Sequence, residues 1–233
     1  MQDAADDVKT RLLEAALPHV PFDGWSDAAF RAAIADSGVD AAVARTACPR
    51  GAVDLALAFH EAGDAEMVRR IGEADLEAMR FRDRVAHAVR LRIEAIPDRE
   101  AVRRGSALFA LPQYAPLGAQ AIWGTADAIW TALGDSSADY NWYTKRATLS
   151  GVYASVVLYW LGDDSPEHLG TWAFLDRRIE DVMRIEKAKG AVQGNPLFKA
   201  VFALPNWTLS QVRAPSGAGR RDVPGVFNTP SES

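Results

Sequence analysis

Helix-forming residues run through almost the whole of this chain, and that bias constrains its fold more than any other feature. Ala, Leu, Glu and Arg dominate, and β-branched alternation is nearly absent. Such a pattern specifies helices rather than strands. Proline and glycine supply the breaks. The spacing predicts helices over 8–19, 28–36, 41–47, 51–61, 115–133, 140–161 and 167–189, with more between Asp64 and Arg104 broken at Pro97 and Pro112. An all-α bundle follows, and 233 residues suffice to bury a full core.

Capping residues sharpen the N-terminal part. Ser26 is a good N-cap, Asp27 suits a first helical turn, Gly38 closes that helix, Asp40 can cap the next, and Pro49 stops it. Helix, Gly-containing turn and short helix over 25–47 form a helix-turn-helix outline. Its charge argues against DNA. Arg31, Arg45 and Arg50 stand against Asp27, Asp36, Asp40 and Asp54, and the short helix AAVARTA has one Arg with no Lys, Asn or Gln to read bases. The whole chain carries a net charge of −5. No nucleic-acid partner is expected.

Motifs for chemistry are missing. None of His19, His60, His87 and His168 follows a Glu by three residues, so the ligand pairs of a di-iron bundle are absent. His60-Glu61 lacks the second His of a zinc helix, and Gly63 is expected to interrupt the helix there. There is no G-x-S-x-G elbow and no phosphate loop, and Cys48 at a helix end reads as a packed thiol. No metal, cofactor or catalytic residue is expected. The single cysteine excludes an intrachain disulfide and suits a reducing compartment. The acidic, polar first ten residues look like neither a secretory signal nor an organelle presequence. No stretch approaches the roughly 20 apolar residues that cross a bilayer; 147–161 reads as a buried core helix.

Three aromatic or apolar groups stand out. Trp142 and Tyr143 sit among Asp139, Asn141, Lys145 and Arg146. Trp, Tyr and Arg in such company suit a protein–protein contact; the alternative is that Trp142 closes the bundle end as core. Asn141 with Lys145 and Trp142 with Arg146 form two adjacent helix stripes. Phe109, Leu111, Tyr114, Ile122, Trp123, Tyr153, Val157 and Trp160 are either core or the lining of an apolar pocket. After a hinge at Gly190, Gly194 and Pro196, the residues Leu197, Phe198, Val201, Phe202 and Trp207 suit a membrane surface or a docked helix. The stretch from about 210 lacks a packing pattern and is expected to be disordered.

Long motifs carry a resemblance. DYNWYTKR (139–146), GVYASVVLYWLGD (151–163), the DSPE turn (164–167) and TWAFLDRRIEDVM (171–183) resemble the ubiquinone-biosynthesis accessory family, the ninth Coq protein. RLLEAALPHVPFDGWSDAAFRAAIADSGVD (11–40) and PRGAVDLALAFH (49–60) extend the match over most of 10–189. The resemblance implies a TetR-type helical fold: a helix-turn-helix-like unit (8–50), a lipid-binding bundle (51–189), an amphipathic segment (195–207) and a tail (210–233). It implies no chemistry of the protein's own. It implies binding of an isoprenoid quinone or phospholipid, and assistance to the demethoxyubiquinone hydroxylase. It implies a partner patch drawing on Asp127, Ile129 and Trp130 as well as Asn141, Trp142, Tyr143, Lys145 and Arg146. A homodimer in the bacterial cytoplasm, held peripherally at the inner membrane, is expected. A ligand-responsive TetR-type repressor is the alternative.

Overall fold

The computed structural model describes residues 2–138 and 140–193, with side chains described from Asp6 to Arg184 apart from position 139. The expected membrane-contact residues Leu197, Phe198, Val201, Phe202 and Trp207 and the tail lie outside the described residues. Among those described, every regular element is helical: α1 (Gln2–Ala16), α2 (Val20–Asp23), α3 (Asp27–Ser37), α4 (Ala41–Ala47), α5 (Ala52–Glu73), α6 (Phe81–Glu94), α7 (Arg99–Phe109), α8 (Ala115–Ala132), α9 (Tyr140–Leu161) and α10 (Leu169–Gln193), with a 3-10 turn at Pro166–His168 before α10.

The expected caps form. Ser26 Oγ accepts from the Ala29 N–H at 3.3 Å and Gly38 ends α3 at φ 65°. Asp40 Oδ1 accepts from the N–H groups of Ala42 and Val43 at 2.8 and 3.2 Å, so α4 begins where its cap requires. Two expectations are corrected. The first helix stops at Ala16, and Val20–Asp23 forms a separate turn with Pro21 near its start, where a missing N–H does no harm. Gly63 does not interrupt its helix; α5 runs through it to Glu73. An interior glycine costs only about 1 kcal/mol relative to Ala, less than packing can return.

The contacts divide the chain into two units, each discontinuous in sequence. The first comprises Met1–Arg69 with Glu94–Ala121. Here α1 packs on α3 and α4, around Leu12, Ala16, Val20, Phe30, Ala44 and Leu55. Trp25 lies 5.7 Å from Phe59 ring to ring, and its indole N–H donates to the Ala101 carbonyl at 3.0 Å. At the α7–α8 hairpin, Gly118 admits Phe109: a Cβ at 118 would stand 2.7 Å from Phe109 Cβ.

The second unit comprises Arg70–Ile93 and the described residues from Ile122 on. Its core joins Val85, Val89 and Ile93 of α6, Ala126 and Ile129 of α8, Leu149, Val152 and Val156 of α9, and Leu175 and Ile179 of α10. Cross-helix contacts tie the four together. Phe81 stacks on Trp130 at 5.7 Å, Arg92 lies over Tyr153 at 5.8 Å, and Arg90 lies over Trp172 at 4.7 Å. Between α9 and α10 the buried Asp163 acts as a clamp. Its Oδ2 accepts from the Thr171 N–H and hydroxyl at 2.7 and 2.6 Å, and its Oδ1 accepts from the Ser165 N–H at 2.9 Å. The turn it holds contains Glu167 and His168 at positive φ, 51° and 56°.

Hydrogen bonds from Thr171, then from Ser165, hold the Asp163 carboxyl well below the usual carboxylate range, against the opposing effect of burial. A depressed folded value means the contribution is complete above the unfolded value of 3.8 and is lost as pH falls below it. Urea midpoints measured between about pH 5 and pH 2 should therefore fall less steeply for Asp163→Asn than for the wild type. Parallel slopes would show that the clamp contributes nothing to folding.

Candidate functional site

The segment that stands out in the sequence becomes the corner between α8 and α9. On α8, Trp123, Asp127 and Trp130 recur at intervals of four and three, so they share a face. On α9, Trp142, Arg146 and Leu149 do the same. Gly134, at φ 80°, turns the chain between them. The two faces meet over one cation. Arg146 has a side chain only 1% exposed; its Nε donates to Asp127 Oδ1 at 2.6 Å and its Nη1 to Asp135 Oδ2 at 3.1 Å. Nη1 also reaches the Trp142 carbonyl at 3.2 Å, and the guanidinium lies 4.1 Å from the centre of the Trp142 ring.

A second cation shares the same anion. Lys145 Nζ donates to Asp135 Oδ1 and to Ser137 Oγ, both at 2.7 Å, and stands 5.3 Å from the Trp130 ring centre. The Trp130 indole N–H donates back to the Lys145 carbonyl at 3.1 Å. Burial alone would raise the Asp135 carboxyl; hydrogen bonds from Lys145, Ser137 and Arg146 outweigh it and bring it down to about 2. Two carboxylates thus balance two cations in a nearly dry corner. The arrangement ties α8, the turn after it and α9 together through charge.

The expected surface patch divides into two halves. Trp142 and Arg146 are fully buried, Ile129 is fully buried and Trp130 is nearly so. For Trp142 this is the core placement that the sequence left open, and Arg146 beside it is satisfied inside by Asp127, by the Asp135 it shares with Lys145, and by the Trp142 ring. Asp127 is part-buried and spent on Arg146. Asn141 is exposed and Tyr143 half-buried, while the Lys145 side chain is 37% exposed. Of the two stripes, the one with Asn141 and Lys145 faces outward and the one with Trp142 and Arg146 faces the core. Sequence reasoning missed Asp135 and Ser137. The Ser137 hydroxyl donates to Asp135 Oδ1 at 2.8 Å, a local turn bond that the spacing Asp-x-Ser can signal.

The expected lipid-binding residues belong to both units. Phe109, Leu111 and Tyr114 lie in the first; Leu111 is exposed and the other two half-buried. Ile122, Trp123, Tyr153, Val157 and Trp160 lie in the second, all buried except the half-buried Ile122. Among the described residues no three His, Cys, Asp or Glu side chains are placed to hold a metal ion, and no helix is long and apolar enough to cross a membrane. Cys48 is buried, and burial, with the Asp54 charge behind it, pushes its thiol up to about 11, so thiolate is scarce at neutral pH.

Comparison with known proteins adds kinship. A family model described as COQ9 matches residues 115–186, which include this corner. The ubiquinone biosynthesis protein COQ9, mitochondrial, of Rattus norvegicus is 31% identical over 227 residues, covering 91% of this chain and 72% of the relative. The Homo sapiens protein of that name is 30% identical over 91% of this chain and 71% of its own length. The Drosophila melanogaster protein is 30% identical over 83% of this chain and 60% of its own. Among solved structures, a TetR transcriptional regulator from Nitrosomonas europaea superposes with a TM-score of 0.60 at 16% identity, covering 74% of this chain and 95% of that one. That likeness shows an all-α, TetR-like fold.

Breaking the Arg146 network should be far more damaging than trimming its edge. Arg146→Leu leaves the part-buried Asp127 without its cation, while Asp135 keeps Lys145, and should destabilise the protein by about 3–5 kcal/mol. Lys145→Ala, at a part-exposed pair, should cost about 1 kcal/mol or less. Urea denaturation of the two variants gives the ratio; equal losses would show that the buried cation is not the anchor.

Proposed function

This chain belongs to the COQ9 family, and from that premise we propose that it is a non-enzymatic lipid-binding accessory protein of ubiquinone biosynthesis. It takes an isoprenoid quinone intermediate from the membrane surface and presents it to the demethoxyubiquinone hydroxylase. The observation that carries this reading is the kinship with proteins named for ubiquinone biosynthesis over 91% of this chain. The α8–α9 corner supports the docking half. Its buried stripe fixes the first turns of α9, leaving Tyr140, Asn141, Tyr143 and Lys145 within reach of a partner. Aromatic and cationic groups on a rigid helix suit an interface anchor. The large apolar residues of both units support the lipid half, since burying an isoprenoid gains roughly 0.8 kcal/mol per CH₂. The relatives are named as mitochondrial proteins; for this chain we propose the bacterial cytoplasm, peripheral to the inner membrane.

A homodimer fits the same reading. Leu158 is 65% and Tyr159 41% exposed on α9, Leu169 is 60% exposed on α10, and Tyr159 stacks on Phe174 at 4.6 Å. Such a face would be covered by a second copy. The likeness to a transcriptional regulator favours one other reading, a ligand-responsive repressor. Its reading helix would be α4, where Arg45 is the one basic residue. A gel shift against genomic fragments at low salt separates the two.

The docking reading has a direct test. Asn141→Arg, on the exposed stripe, should reduce recovery of the hydroxylase in pull-down at least about tenfold, the loss of roughly 1.4 kcal/mol. Mass spectrometry should find the co-purified lipid unchanged. Loss of lipid with docking intact, or purified protein free of any isoprenoid lipid, would overturn the reading.

A further inference from the structure

The hairpin that joins α7 to α8 in the first unit is exposed and carries no charge. From Gly105 to Ala126 the sequence has no Asp, Glu, Lys, Arg or His, in a chain of which 24% is charged. Such a gap would be ordinary in a core. Here it falls on surface: Ala107, Ala110, Leu111, Pro112, Ala115 and Pro116 are exposed, Leu111 by 43%. Exposed large apolar residues elsewhere in the first unit stand close to charge. Phe22 adjoins Asp23, Val43 lies near Arg45, and Val68 adjoins Arg69. A surface that meets only water is normally strewn with charged groups. The hairpin tip therefore calls for a different neighbour.

A lipid surface fits that description better than a protein does. Protein interfaces are about as apolar as the rest of a protein's surface and keep a polar rim. Lipid excludes charge, at a cost of about 2.5–3.5 kcal/mol for a charge carried to the bilayer centre. It also requires backbone groups to find partners within the protein. The tip meets this requirement. The N–H groups of Ala110, Leu111, Tyr114, Ala115 and Gly118 donate to carbonyls of the hairpin itself at 2.9 to 3.1 Å, and Pro112 and Pro116 have no N–H to satisfy. The close approach of Gly118 to Phe109 holds the two arms together. Gln113 is exposed among the apolar residues, which limits the seat to the head-group boundary. The half-buried Tyr114 suits that depth, where tyrosine is enriched.

Cations stand at the matching height. Helix α7 carries Arg99, Arg103 and Arg104 against one acid, Glu100. The Nε atoms of Arg103 and Arg104 lie 3.1 and 3.0 Å from the Glu100 carboxylate, and both side chains remain exposed. The stretch from Arg104 to Leu111 spans roughly 10 Å at the helical rise. An interfacial element buries its apolar face to about 5–10 Å, so with Leu111 immersed the two guanidinium groups would lie among the phosphates, which attract them.

We propose that the α7–α8 hairpin is a membrane contact: Leu111, Pro112 and Pro116 seat shallowly in a phospholipid surface, with Tyr114 at the head groups and Arg103 and Arg104 at the phosphates. The assignment rests on the reading that the protein works at a membrane surface, and adds which of its surfaces meets the lipid. It is separate from the segment 197–207.

A fluorophore sensitive to polarity, attached to full-length Leu111→Cys, tests this. Cys48 is buried and its thiol is pushed up to about 11, so the label goes to the new cysteine. Glu14→Cys, exposed on α1, is the control. The probes are vesicles of phosphatidylcholine, alone or mixed with phosphatidylglycerol. With mixed vesicles, emission at 111 should shift to the blue and be quenched by brominated lipid, and emission at 14 should not. Leu111→Glu should weaken vesicle binding about tenfold without changing the urea midpoint, and Arg103→Gln should reduce the preference for phosphatidylglycerol. If the protein binds vesicles while the label at 111 stays in water, or both labels shift alike, the assignment is overturned and the membrane reading stands. A label at 111 that shifts with the hydroxylase but not with vesicles would make the hairpin a protein contact and overturn it too. If the protein binds neither kind of vesicle, the membrane reading itself fails.

Discussion

A guanidinium held out of water sets the terms for the second unit. Arg146 can be buried only because two carboxylates, a carbonyl and an indole face surround it. Those partners come from α8, from the turn after it and from α9 itself. Satisfying one cation therefore sets the register between two helices and the path of the chain between them. Lys145 and Trp130 latch the same turn from its other side. Well-packed apolar residues in place of such a cluster often hold helices as firmly, yet they specify the corner less closely. An ion network accepts few alternative geometries.

That anchoring gives the corner two faces with different duties. Inward, the buried indole N–H groups of Trp123 and Trp142 have no acceptor among the described residues. Outward, Asn141 is exposed and Lys145 partly so. The separation is between neighbouring residues of a single helix, so changes on one side reach the other through only a turn of backbone.

Much of the architecture was legible in the sequence. Asp40 and the proline two residues past the end defined α4, and the bounds of α9 follow from polar loops at either end. Gly63 misled because helix propensity is a weak local preference and long-range packing overrides it. The orientation of Trp142 was not legible. Aromatics next to Lys and Arg look exposed when read along the chain, and only Asp127 and Asp135, converging from other elements, turn Arg146 and Trp142 inward. The stripes themselves were correct, since they depend on helical period alone. Which stripe faced out depended on where distant carboxylates stood, and spacing carries no record of that. The Asp163 clamp was hidden for the same reason: its acceptors meet donors across a turn whose left-handed residues are neither Gly nor Asn.

The missing methyl at position 118 has a consequence for how such chains can change. A side chain at 118 would meet the Cβ of residue 109, an atom that every residue but glycine carries, so no smaller apolar residue at 109 would make room for it. The close approach of α7 to α8 at this hairpin therefore holds only while position 118 stays bare.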